Sequence, residues 1–332
     1  MPQEIVNDFV SAGGTGGPVA HSSVAAKLLT GGFRASSLRT NDVLRKEEWK
    51  QFDAVVVEVA RERLGIVEDL ITRGLTLPVG NALGTTFVEW EQSGDMDPAE
   101  LNMSGVTEGE RDRMVFNLKG VPLPITHKDF NINIRALEAS RKLGDSLDTT
   151  NAAVATRLVS DSLENLLMNG STLSFAGQTI PGYTTAPNRS TGSVTANWST
   201  VATGEQMVGD VLIMMGAAAT VNMFGPFMLY CSVAARNRLN DDYKANSDRT
   251  TVERINAIDG IIGVRGTARL AGTVVLLVQM TRDVVDMVVG QQPAPIQWES
   301  QGGMIVNFKV MAIMVPRVKD DAKAQSGIVH YS

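Results

Sequence analysis

The side chains best suited to chemistry are few and scattered. Histidine occurs three times, as His21, His127 and His330, and none has a partner at metal-ligand spacing. Cys231 is the single cysteine, so no intrachain disulfide forms. No local motif suggests a His-based triad; there is no GxSxG turn and no Walker phosphate loop, and the GGTGG around residue 15 does not follow a strand. Asp95, Asp97 and Glu100 are close in sequence, but EF-hand spacing and its turn glycine are missing, which makes them a solvated charged tip. These residues lead us to expect no enzymatic reaction, no cofactor and no metal.

Composition narrows the partners. A chain of 332 residues, 43% hydrophobic and 20% charged, buries a sizeable core and is long enough for two domains. A net charge of -6 argues against a protein that grips duplex DNA through phosphates, because such contacts need dense Lys/Arg surfaces. The longest apolar run, Val211 to Val221, falls short of the roughly 18 residues of a membrane span, so no membrane partner is expected. No basic-then-apolar segment precedes the first element, which points to folding in a reducing cytoplasm.

The elements that position the remaining residues are better defined. The organising stretch runs from Pro122 to Gly182. Its second half predicts a helix over 149–168, with Asp148 and Thr149 offering capping oxygens and Asn169-Gly170 a left-handed stop, about five turns in all. Ala152, Ala155, Val159, Leu163, Leu166 and Leu167 recur at helical spacing, while Arg157, Asp161 and Glu164 fall on other sides. Before it, Phe130 to Ile134 alternate as a strand with Phe130, Ile132 and Ile134 on one face. An earlier helix starts near Asn41, uses Phe52, Val55, Val56 and Val59 as its apolar side, and breaks near Gly65 or Gly74.

Two strand-like runs, Thr85 to Gln92 and Arg113 to Leu118, stand on either side of a polar connection of about twenty residues, too long for a tight turn. Phe87, Val88, Trp90, Met114, Phe116 and Leu118 are the apolar residues of this two-stranded ribbon, and a lone ribbon is only marginally stable. Further along, helices are expected over Glu205 to Ala219, from Ser232 and over Thr250 to Ile258. Strands are expected over Phe227 to Cys231, Thr273 to Gln279, Met287 to Val289 and Met304 to Val315, the last ending at Pro316. Gly327 to Tyr331 adds a short final strand.

The order of a strand entry rich in proline, the HKDF strand, a short helix, the long helix and the NG and IPG turns resembles the major capsid proteins of tailed bacteriophages, whose fold encapsulin nanocompartments share. The resemblance implies an α+β fold with a peripheral domain, in which a long spine helix lies on a sheet, an axial domain, an extended loop and an N-terminal arm. On that template the arm covers residues 1–42, the first helix region 43–79, the extended loop 80–119, the peripheral domain 120–199, the axial domain 200–303 and a return strand to the peripheral domain 304–332. Asp241, Asp242, Tyr243 and Lys244, in the loop Asn240 to Arg249, become the candidate axial tip, and the ribbon becomes an assembly interface. The function implied is a virion shell of pentamers and hexamers around double-stranded DNA, assembled in a bacterial host's cytoplasm. Scaffold, portal or decoration proteins are the implied partners, and the packaged DNA is touched weakly. The alternative is an encapsulin-type shell around a cargo enzyme; the Gly-rich run Ser11 to Pro18 departs from the helical start of encapsulins. Some capsids of this kind join a loop lysine to a neighbour's asparagine. Lys119 is the one lysine near the ribbon, and we do not expect it to react in that way.

Overall fold

Apolar spacing sets the buried faces of the helices of this chain. The computed structural model describes residues 46–93, 103, 116–143, 149–244, 248–321 and 323–332. Helix α1 (Lys46–Arg63) buries Trp49, Phe52, Val56 and Ala60, three or four residues apart. Helix α2 (Gly65–Thr72) follows after a break at Leu64, and Gly74 at φ +70° turns the chain away from it. Strand β1 (Thr76–Pro78) leads to the ribbon strands β2 (Phe87–Ser93) and β3 (Phe116–Pro122), then to β4 (Thr126–Asn133). Ile134, expected as the end of that strand, instead opens α3 (Ile134–Leu143).

The long helix α4 (Thr150–Asn169) buries the six apolar residues its spacing singled out. Thr149 makes no side-chain cap, and Asp148 lies outside the described residues. Glu164, expected on a polar side, is buried: its Oε1 accepts the Ile66 N–H at 2.7 Å, so it caps α2 from across the core. At the other end Gly170 has φ +70°, and a Cβ there would strike the backbone of Ile180 and Gly182.

The remaining elements are β5 (Ser171–Phe175), β6 (Gln178–Ile180), β7 (Ser190–Gly192), α5 (Gly204–Thr220), β8 (Phe227–Ser232), α6 (Val233–Arg238) and α7 (Thr251–Asn256). They are followed by β9 (Ile261–Thr267), β10 (Val275–Gln279), β11 (Val285–Ser300), β12 (Ile305–Val318) and β13 (Ile328–Tyr331). A four-stranded sheet runs β1-β11-β12-β4 and a five-stranded sheet β7-β13-β10-β8-β9. Helices α1 and α4 lie on the first, where the rings of Phe52, Phe130 and Phe308 stack at centroid distances of 5.2 to 6.0 Å.

Four expectations change here. Met287 to Val289 is part of a 16-residue strand, β11, whose middle, Gly290 to Pro295, carries bulges and few β-branched residues and so hides from propensity. Strand β12 does not stop at Pro316. That residue sits opposite Met287, whose own N–H turns the other way to Leu75, and it lies beyond the end of β4, where its missing N–H removes no ladder bond. The final strand joins the five-stranded sheet, between β7 and β10, and not the sheet beneath α4; Ile328 and Val329 are both buried because both of that strand's faces are covered. Sheet membership therefore departs from the expected ranges, since β7 belongs with residues 227–279 and β11 with the return strand.

Strand β8 shows how the two sheets are joined. Phe227, Leu229 and Cys231 pack under α5, and Met228 and Tyr230 face the core built on α2 and α4, so all six of its residues are buried. On that inner side the Tyr230 hydroxyl donates to Asp69 at 3.2 Å, and Arg265 of β9 reaches the same carboxylate at 2.7 Å.

Candidate assembly interface

The ribbon strands pair antiparallel from Phe87 opposite Pro122 to Ser93 opposite Phe116, a register that carries the second strand four residues beyond its expected end at Leu118. Alternation then divides the ribbon into two faces. Val88, Trp90 and Gln92, with Lys119 and Val121, look inward. Phe87, Glu89 and Glu91, with Gly120, Leu118 and Phe116, look outward, while Pro122 at the ribbon root is buried.

The inward face anchors the ribbon to its own chain. Val88 and Val121 are buried in a cluster with Leu123, Val288, Ile313 and Val315, and Trp90 packs at its edge with the Arg317 guanidinium 5.5 Å from its ring centre. Arg317 is itself held by Asp286 through two hydrogen bonds of 2.8 and 2.5 Å, and Lys319 reaches the same carboxylate at 2.9 Å. Gln92 donates to the main-chain oxygens of Asp320 and Asp321. Lys119 meets both oxygens of the Asp320 carboxylate at 2.7 Å, and Asn188 donates to it at 2.6 Å. One buried aspartate thus fastens the ribbon root, the segment between the two sheets and the loop before β7.

Among the described residues the outward face has no such partners. Phe116 is 58% and Leu118 66% exposed. Phe87 lies over Gly120, where a Cβ would collide with its ring, and its centroid is 6.3 Å from that of Phe175 on the β5–β6 hairpin. Leu173 and Phe175, both half exposed, alternate onto one side of that hairpin. An apolar strip therefore runs from the hairpin through Phe87 along the ribbon to Leu118 and Phe116, with Glu89 and Glu91 beside it. Exposed patches of this kind mark partner surfaces.

Of the residues expected at this interface, Phe87, Phe116 and Leu118 face outward. Val88 is core and Trp90 is half covered by Arg317, because they sit on the other side of the pleat; Met114 lies outside the described residues. Leu173 and Phe175 were missed, although the alternation of STLSF followed by Ala-Gly is a readable hairpin signal.

The candidate tip residues Asp241 to Lys244 gather at the N-terminal end of α5. Tyr243 lies between Lys244 and Arg254, at 5.7 and 5.5 Å from its ring centre, and Lys244 pairs with Glu205. These residues and Thr203, Arg238 and Thr251 line an open cavity of about 510 Å³. His21 lies outside the described residues, and His127, Cys231 and His330 do not meet one another. His127 contacts Asp129 at 3.2 Å, Arg189 donates to His330 at 3.1 Å, and burial pushes the Cys231 thiol up to about 12. Asp95, Asp97 and Glu100 lie outside the described residues, and among those described no group of three metal-binding side chains occurs. No described helix is long and apolar enough to cross a membrane.

Comparison with known proteins matches residues 38–331 to a family of unknown function, DUF6260. A type 1 encapsulin shell protein, EncA of Myxococcus xanthus, is 26% identical over 282 residues, 83% of this chain and 90% of that protein. Among solved structures, the virus-like particle of Pyrococcus furiosus superposes with a TM-score of 0.59 at 17% identity, covering 85% of this chain and 98% of that one. The capsid of Myoviridae phage XM1 also gives 0.59, at 10% identity over 74% and 85%, and Mycobacterium phage Cain gives 0.56 at 11% over 78% and 87%. The fold is thus the α+β fold common to tailed-phage capsid proteins and encapsulins.

Proposed function

The chain belongs to the DUF6260 family, and we propose that it is a structural shell protein, copies of which close into a hollow icosahedral particle. The observation that carries this reading is the apolar strip Phe175–Phe87–Leu118–Phe116, held out on a ribbon whose root is pinned by Asp320. A ribbon fastened on one face, with a contiguous apolar strip exposed on the other, suits contact with a partner. Burying each such side chain against a neighbour contributes roughly 1.5 to 3 kcal/mol, and the contact repeats at every copy of a closed shell.

The first assignment is the major capsid protein of a tailed phage, in pentamers and hexamers around double-stranded DNA. It is supported by the shared fold, the Gly-rich arm and an acidic balance suited to a wall that does not hold its contents. The identity with an encapsulin over 90% of its length favours a second reading, a compartment around a cargo protein. The chain expressed alone or with a scaffold should give particles or capsomers by electron microscopy. Neighbouring genes then separate the readings, terminase and portal against a cargo enzyme. A monodisperse monomer at high concentration under every assembly condition would end both.

A further inference from the structure

Helix α5 covers the outer face of the five-stranded sheet with Met207, Val208, Val211, Met214 and Ala218, and on its other side Leu212, Ile213 and Gly216 stay exposed among the described residues. That free side is apolar where a surface helix is normally charged. After Glu205, which Lys244 neutralises, it presents Gly209, Leu212, Ile213, Gly216, Ala219 and Thr220, without one charge. Leu212 is 52% and Ile213 57% exposed, and Phe224, just past the helix end, is 72% exposed. Gly209 and Gly216 stand one on each side of the Leu212-Ile213 pair with open space above them, so another backbone can approach closely there.

We propose that this side of α5, continued by Phe224, is a contact surface for a second copy of the chain. The proposal rests on the shell reading and names a surface distinct from the ribbon. Three observations select a second copy over other occupants. Beyond Gln206, which accepts the Thr203 N–H, and Thr220, whose hydroxyl donates to the Ala217 carbonyl, this side of the helix offers after Glu205 no charge or hydrogen-bonding side chain with which to recognise a nucleic acid or a polar ligand. Its apolar area, on the order of a few hundred Å², is too small to hold an isolated pair but suits a contact repeated around a ring. It also begins beside the tip residues Asp241 to Lys244 and runs about 25 Å away from them. If those residues stand near a symmetry axis, α5 lies along the flank that meets the next copy. A ribbon contact alone leaves each subunit free to swing; a second contact on the other sheet fixes its orientation, as closure of a ring requires.

The test compares the unaltered chain with Leu212→Glu/Ile213→Lys and with Leu118→Ser/Phe175→Ser, scoring assembly by light scattering and electron microscopy. Because the α5 side chains are exposed, the first variant should keep the unaltered melting temperature while its particle yield falls at least tenfold. A photo-crosslinking residue at position 213 of the otherwise unaltered chain should then give a product of twice the subunit mass in assembled material. Assembly of the α5 variant at normal yield, or crosslinking confined to single chains within intact particles, would overturn this proposal and leave the shell reading standing. If the unaltered chain formed no oligomer, both would fall.

Discussion

Glu164 is a residue whose type misleads. A carboxylate at helical spacing from Asp161 and Arg157 reads as solvated, yet it is buried beside the first N–H groups of α2, where an anion completes a helix start. Glu164→Ala should therefore lower stability by about 1 to 2 kcal/mol in chemical denaturation, and Glu164→Gln, which still accepts a hydrogen bond, should cost less. Desolvation raises the carboxyl groups of Glu164 and Asp69 above their ordinary 4.5 and 3.8, outweighing the Ile66 N–H and Arg265 respectively. Groups raised in this way bind protons more tightly folded than unfolded, so their contribution to stability grows as pH falls through the raised values and levels off below 4.5 and 3.8. His330 acts in the opposite sense. Burial, then Arg189, holds it below 6.5, so its contribution is whole above 6.5 and is lost as pH drops from there towards the lowered value. Melting temperatures measured across this range should show Glu164→Gln losing its part of the gain at low pH and His330→Gln losing the fall below pH 6.5.

At the scale of elements, the ribbon is an anchor on one face and a surface on the other, and the two should separate by mutation. Asp320→Ala leaves Lys119 and Asn188 without their acceptor and should destabilise the fold by about 1 to 3 kcal/mol, with amide exchange rising first in β2 and β3. Leu118→Ser with Phe175→Ser should shift stability by no more than about 0.5 kcal/mol while abolishing particles. The ribbon itself was legible, because Val88/Trp90 and Phe116/Leu118 alternate around a long polar connection. Which face points out was not, since that depends on a pairing register set by Val121 and by residues 320 and 321, far away in sequence. The long helix was readable from its apolar spacing and its Asn169-Gly170 stop, whereas β7, three residues of Ser-Thr-Gly, owes its strand form entirely to β13 beside it. Strand β11 escaped for a related reason: its bulged middle has the composition of a loop, and only the unbroken β12 alongside keeps it extended.

The molecule as a whole places the two proposed contact surfaces on two sheets joined through one core, the ribbon on one and α5 on the other. Replacing residues 88–121 with a short Gly/Ser link should leave both sheets folded by circular dichroism and yield no closed shells. Free subunits, at net charge -6, should bind duplex DNA no more tightly than about micromolar at physiological salt and without sequence preference, as read by fluorescence anisotropy.

The pairing of Lys119 with Asp320 joins residues 201 positions apart, and β4 finds its partner only in β12. On the ribosome, the ribbon strands emerge long before either partner exists, and contacts of such separation form late in folding. Residues Phe116 and Leu118 are therefore set in a docking posture only once nearly the whole of this sequence has been made. A growing chain would have no fixed ribbon to offer a neighbour through the proposed contact. On the proposed shell reading, the lock that aims the ribbon is also a clock, which would hold assembly back until synthesis has passed residue 320.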